Sequence, residues 1–139
     1  MERLLSTVQD TRDLAAALAP KLEAAISGGC SVALIGGLGA GKTTFVRHLV
    51  QVLGGDVQAS SPTFVLCHEY PARAGLLIEH WDVYRLSGAP EELLSPPAPR
   101  VLRLIEWADK FPEVLSDCEF ELTFELRGEN LRRVSLRGW

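Results

Sequence analysis

Residues 36–44 read Gly-Gly-Leu-Gly-Ala-Gly-Lys-Thr-Thr, set between the apolar run 31–35 (SVALI) and an amphipathic stretch that begins at Thr43. No other feature restricts the fold as much. The pattern G-x-x-x-x-G-K-[ST] has a mechanism only where a strand feeds a loop that opens a helix. Gly36, Gly39 and Gly41 allow positive φ and leave no Cβ between the backbone and a phosphate. The successive N–H groups of Gly36, Gly37, Leu38, Gly39, Ala40 and Gly41 then form an anion nest, backed by the positive end of the helix that carries Thr44. Lys42 adds a point charge for β- and γ-phosphates, and the Thr43 hydroxyl is a ligand for Mg²⁺. A Gly-rich turn beside an unrelated lysine would not need these flanks. The expected ligand is a nucleoside triphosphate.

The rest of the chain can be placed around that unit. Leu4 to Val8 is a short apolar run, and Asp10-Thr11 reads as a helix start, with Leu14, Leu18, Leu22 and Ile26 at helical spacing up to Gly28-Gly29. Strand 30–35, the loop and a helix from Thr43 to about Leu53 follow; Phe45, Val46, Leu49, Val50 and Leu53 are its buried stripe. Ser60-Ser61-Pro62-Thr63 is a loop signal leading into the apolar stretch 64–67. Residues 76–83 and 101–107 read as strands, the second almost continuously apolar, as an inner strand should be. The strands 120–126 and 131–136 flank Arg127-Gly128-Glu129-Asn130 as a hairpin. Segment 87–100 holds four of the eight prolines and is expected to be an exposed loop with one short turn. The expected fold is one α/β domain over residues 1–139, a three-layer P-loop NTPase-like unit. Its central sheet should be mixed and mostly parallel, with an antiparallel C-terminal hairpin.

Composition narrows the function classes. A net charge of −4 over 139 residues argues against a standing nucleic-acid surface, although Arg127, Arg132, Arg133 and Arg137 cluster near the C-terminus. Solvated strand ends account for that cluster as well. No apolar run approaches the ~18 residues of a membrane span, and no signal-peptide pattern opens the chain. Cys30, Cys67 and Cys118 have neither metal-ligand nor redox spacing, which fits reduced, mostly buried thiols in a cytoplasmic protein.

A phosphate loop needs a carboxylate for its metal, usually at the end of a neighbouring strand. Asp82 and Glu106 end two predicted strands at equivalent positions. The spacing leaves open which of them ligates the metal and which activates water. Thr63, stiffened by Pro62, is placed to meet a γ-phosphate or its metal, as a switch segment would; a plain turn explains the same spacing. Arg85 either neutralises phosphate charge or forms a surface ion pair. Trp107 is either core or a stacking face. His80, inside an apolar strand, reads as a core histidine, and His48 as a surface residue.

The strings LIGGLGAGKTTFVRHL, SPTF (61–64), HWDVYRL (80–86) and IEW (105–107), in this order, resemble the TsaE (YjeE) family. Its members are bacterial ATPases needed to make threonylcarbamoyladenosine in tRNA. The resemblance covers nearly the whole chain. It implies ATP/ADP and Mg²⁺ as cofactors, TsaD and TsaB as protein partners, and tRNA as an indirect one. It also implies that Glu106 is the Mg²⁺ ligand, Asp82 the second carboxylate, Trp107 the aromatic beside the site, and Thr63 part of the switch loop. Thr11 would lie where the base pocket begins. Two departures stand out: Gly37 where the family commonly has Asp, and a shorter, more Pro-rich stretch between Leu86 and Ile105, where a helical segment is usual.

Three rival readings keep the same loop. A small-molecule kinase needs a second pocket and an Arg-rich lid, and 87–100 has a single terminal arginine. A regulatory GTPase usually reads guanine with Asn-Lys-x-Asp, whereas Asn130 is followed by Leu131. A nucleotide-gated binding module with incidental hydrolysis differs least from an ATPase that acts on a partner's state.

Overall fold

The computed structural model describes residues 1–57 and 66–139, so Thr63 and the expected switch segment 61–63 lie outside the described residues. Strand β1 (Glu2–Leu5) leads directly into helix α1 (Val8–Ala25). The helix starts earlier than the Asp10-Thr11 expectation, because a capping box fixes its first turn. The Thr7 hydroxyl accepts from the Asp10 N–H at 3.0 Å, while the Asp10 carboxylate accepts from the N–H groups of Ser6 and Thr7 at 2.8 and 3.0 Å. Hydrogen bonds from Ser6 and Thr7 hold the Asp10 carboxyl below its ordinary pKa. Thr11, Leu14, Ala15, Leu18, Ala19 and Leu22 form the buried stripe.

Strand β2 (Cys30–Ile35) is central, and its loop opens helix α2 (Lys42–Val52). Strands β3 (Cys67–Pro71), β4 (Leu77–Asp82) and β5 (Val101–Glu106) follow. The single turn α3 (Pro112–Leu115) precedes the hairpin β6 (Phe120–Leu126) and β7 (Arg132–Arg137). The sheet order is β1-β7-β6-β2-β5-β4-β3. Its centre is parallel (β6, β2, β5, β4), and both margins are antiparallel (β1–β7–β6 and β4–β3). The mixed α/β architecture read from the sequence is therefore present, with a second antiparallel margin at β3.

Alternation along β2 separates two cores. Val32 and Leu34 face α1 and α2, where Leu14, Leu18, Phe45 and Leu49 pack with Leu104 and Leu122. Ala33 faces the opposite layer, a thin one made of Leu93, Ala108, Phe111 and Val114 over Trp81 and Ile105. Phe45 and Leu49 are fully buried, each worth about 1.5–3 kcal/mol of transfer free energy; Leu49→Ala would cost about 2–5 kcal/mol.

The Pro-rich segment 87–100 is mostly exposed, as expected. It contains one short 3₁₀ turn, Glu91–Leu94, but Leu93 is buried in the second core. The buried Arg103 guanidinium ties the segment down through the Ser95 carbonyl at 2.8 Å, while its Nε donates to Glu79 at 2.9 Å. Among the described residues no helix is long and apolar enough to cross a membrane.

Candidate functional site

The parallel strands β2, β5 and β4 end on one edge of the sheet, where open α/β sheets bind ligands. The loop after β2 turns there on its glycines. Gly36 has φ +147°, and a Cβ on it would lie 2.5 Å from the Phe124 carbonyl oxygen. Gly41, at φ +107°, is the N-cap of α2 and has the Arg132 side chain 3.2 Å from where its Cβ would be. Gly37 is different: a Cβ there meets nothing within 4 Å, so the usual Asp of the resembling family would fit this backbone.

Lys42 opens α2 and turns its ammonium back into the loop. Its Nζ donates to the Gly36 carbonyl at 2.6 Å and lies 3.9 Å from the centroid of the Trp107 ring. The residue is only 4% exposed. Burial lowers its pKa, against the opposing pull of the Glu106, Asp82 and Asp109 carboxylates. An anion brought into this cleft would restore what burial removes.

Asp82 and Glu106 are register partners on neighbouring parallel strands, so both face the side of the sheet that carries α2. Their surroundings differ sharply. Glu106 is 4% exposed and accepts from the Thr43 hydroxyl at 3.0 Å. The Nε2 of His80, on β4, lies 2.5 Å from the same carboxylate oxygen. Burial alone would raise the Glu106 carboxyl; the His80 hydrogen bond and charge, the Thr43 hydroxyl and Lys42 outweigh it and leave the pKa lowered. Asp82 is exposed, and among the described residues its carboxylate accepts the Tyr84 N–H, at 3.0 Å.

A cavity of about 220 Å³ is walled by Leu38, Gly39, Ala40, Gly41, Lys42, Thr43, Thr44, Asp82, Glu106, Trp107 and Arg132. The uncharged and anionic side-chain donors on its wall, two hydroxyls (Thr43, Thr44) and two carboxylates (Asp82, Glu106), are all oxygen, which suits Mg²⁺. Among the described residues no group of three or more His, Cys, Asp or Glu side chains could hold a metal by itself. Mg²⁺ is commonly held by one or two carboxylates together with substrate phosphates.

A second cavity of about 210 Å³ shares Gly41, Thr44 and Arg132 with the first and is otherwise walled by Leu5, Ser6, Thr7, Val8, Thr11, Phe124 and Asn130. The capped start of α1 thus lies beside the phosphate loop, with Thr11 in the wall between helix and hairpin. The two cavities together form a cleft with a charged end, carrying Lys42, Asp82 and Glu106, and a more apolar end.

The structure brings together Lys42, Thr43, Asp82, Glu106 and Trp107, and puts Thr44 and Thr11 on the adjoining wall. Leu38 is exposed at the loop tip. Trp107 takes a left-handed conformation, φ +67°, and its N–H donates to the Leu34 carbonyl at 3.1 Å. Its ring lies 4.6 Å from that of Tyr84 at a 37° tilt; half-buried, it packs against the second core and also walls the cavity. Arg85 is exposed and lines neither cavity. His80 is a core histidine as read, but its partner is a site carboxylate, which only the β4–β5 register reveals. Arg132 belongs in sequence to the cluster of C-terminal arginines, and nothing in its spacing points to the loop.

The model of the family "Threonylcarbamoyl adenosine biosynthesis protein TsaE" matches residues 5–134. A tRNA threonylcarbamoyladenosine biosynthesis protein TsaE from Aquifex aeolicus is 34% identical over 137 residues, covering 97% of this chain and 94% of the relative. The protein of that name from Rickettsia felis is 33% identical over 138 residues, 96% of this chain and 77% of the relative. The crystal structure of Bacillus subtilis YdiB aligns at a TM-score of 0.67 and 24% identity, covering 98% of this chain and 83% of that one, which establishes likeness of fold.

Proposed function

Because the chain belongs to the TsaE family of threonylcarbamoyl adenosine biosynthesis proteins, we propose that its cleft binds Mg²⁺ and ATP, hydrolyses ATP slowly in isolation, and serves tRNA modification in the cytoplasm by acting on a TsaD–TsaB complex. The observation that carries the reading is the meeting of Thr43 and Glu106 at 3.0 Å beside the Lys42 ammonium, at the mouth of a glycine loop. In this proposal the loop N–H groups and Lys42 hold the β- and γ-phosphates. Thr43 and Glu106 would hold Mg²⁺, with His80 fixing the direction in which the Glu106 oxygens point. Mg²⁺, when bound, neutralises charge on the phosphate oxygens. Asp82, exposed on the cavity wall and only lightly tied, is the carboxylate left to orient and deprotonate water. The cavity beside α1 takes the base.

Hydrolysis measured alone and with TsaD and TsaB, with and without Mg²⁺, tests the reading. Slow Mg²⁺-dependent release of phosphate that changes when the pair is added supports it. Transfer of phosphate to a small-molecule acceptor, with no response to the pair, would favour the kinase alternative instead.

A further inference from the structure

We infer that Arg132 is a nucleotide-binding residue: the β6–β7 hairpin delivers its guanidinium to the phosphates nearest the base, making the hairpin a third wall of the nucleotide cleft. The inference rests on the nucleotide reading above and adds to it a residue from the opposite end of the chain.

The hairpin's other arginines are committed. Arg127 pairs with Glu125 at 3.4 Å, Arg133 with Glu125 at 3.0 Å and Glu2 at 3.7 Å, and Arg137 with Glu121. Arg132 has no carboxylate partner among the described residues. Its Nη2 reaches the Gly39 carbonyl only at 3.4 Å, and its Nε is sealed from solvent with no partner among the described residues; the Arg133 Nε is likewise unpartnered there, but its guanidinium is held by Glu125. A half-buried guanidinium with an orphaned donor is costly unless an acceptor arrives.

Its position says which acceptor. Arg132 pairs in register with Leu5 of β1 and Leu126 of β6, so it sits where β1 ends and α1 begins. It lines both cavities, and so does Gly41, whose missing side chain leaves the space that the Arg132 Cδ and Nε approach at 3.2 Å. A nucleotide with its base against α1 and its terminal phosphates in the loop must carry its first phosphates past this point. A planar fork of N–H donors matches phosphate oxygens bidentately. Since those phosphates are common to both nucleotides, the contribution should be equal for nucleoside di- and triphosphates.

The test is calorimetric titration of ADP and of a non-hydrolysable ATP analogue into wild type, Arg132→Gln and Arg132→Lys. The Gln variant should lose roughly 10- to 100-fold in affinity for both nucleotides, as for a lost charge-assisted bond, and the Lys variant should recover part of it. In wild type, the Arg132 Nε–H resonance should shift when ADP is added, a readout that needs no variant to fold. Wild-type binding with unaltered affinity in Arg132→Gln, or an Nε–H that does not move at saturation, overturns the inference and leaves the nucleotide reading standing. Absence of any adenine-nucleotide binding by wild type overturns both.

Discussion

Replacing Glu106 by Gln preserves the shape of the side chain and removes a buried charge that holds two partners. The His80 contact at 2.5 Å and the Thr43 contact at 3.0 Å are both hydrogen bonds to an ionised group. Such bonds contribute about 1.5–3 kcal/mol each, against about 0.5–1.5 kcal/mol for neutral ones. Converting both would cost about 2–3 kcal/mol, and part of that returns because no charge is then buried. The sign follows from the lowered pKa of Glu106: the folded protein favours the carboxylate over the acid more than water does. Glu106→Gln should therefore be the less stable protein at pH 7, by about 1–2 kcal/mol. The stabilisation belongs to the ionised form, so it is present above the ordinary carboxyl value of 4.5 and is lost as pH falls through the lower folded value. Urea unfolding of both proteins across the acid range should show the gap at pH 7 and its closure at low pH. A variant as stable as wild type at pH 7, or a gap that persists unchanged into strong acid, would refute the assignment of Glu106 as a buried, ionised anchor.

Lys42→Ala should fold, because the side chain projects into the cleft, and should lose on the order of 2–4 kcal/mol of ATP binding or transition-state stabilisation; calorimetry and phosphate release check it, and wild-type values for both would remove the phosphate-loop reading. Asp82→Asn should lower hydrolysis at least tenfold, about 1.4 kcal/mol of barrier, while its melting temperature stays close to wild type, since the carboxylate is exposed and accepts one N–H; unchanged turnover would reduce Asp82 to a strand-end residue. Burial pushes the thiols of Cys30, Cys67 and Cys118 up to about 12, so alkylation at pH 7.5 should be slow in the native protein and complete in urea; rapid stoichiometric labelling of the folded chain would contradict this.

What could be read from the residues divides along the range of the interactions. The β2–loop–α2 unit was legible because its signals are local: an apolar run, glycines, then a helical stripe from Phe45 to Leu53. The strand ends at Asp82 and Glu106 were legible because apolar runs stop there. The start of α1 was misplaced because Asp10, read as a helix start, instead closes a capping box onto Thr7. The antiparallel edge made by β1 was not visible, since its four residues pair with β7 at the far end of the chain. The same distance hid the His80–Glu106 contact, which exists only through the β4–β5 register, and the approach of Arg132 to Gly41. Segment 87–100 was legible as a mostly exposed loop because prolines exclude regular structure; its anchors, buried Leu93 and the Arg103 grip on the Ser95 carbonyl, were not.

In the proposed function, nucleotide state in this cleft is read by a protein partner. Linkage requires that if ATP strengthens binding of the partner, the partner strengthens binding of ATP by the same factor. The most direct measurement is titration of the TsaD–TsaB pair with this protein carrying an ATP analogue, carrying ADP, and without nucleotide. Affinities should differ among the three states, with Thr63→Ala blunting the difference while ADP binding stays nearly intact. Equal affinities in all three states, together with unaltered tRNA modification when the protein is omitted, would contradict it.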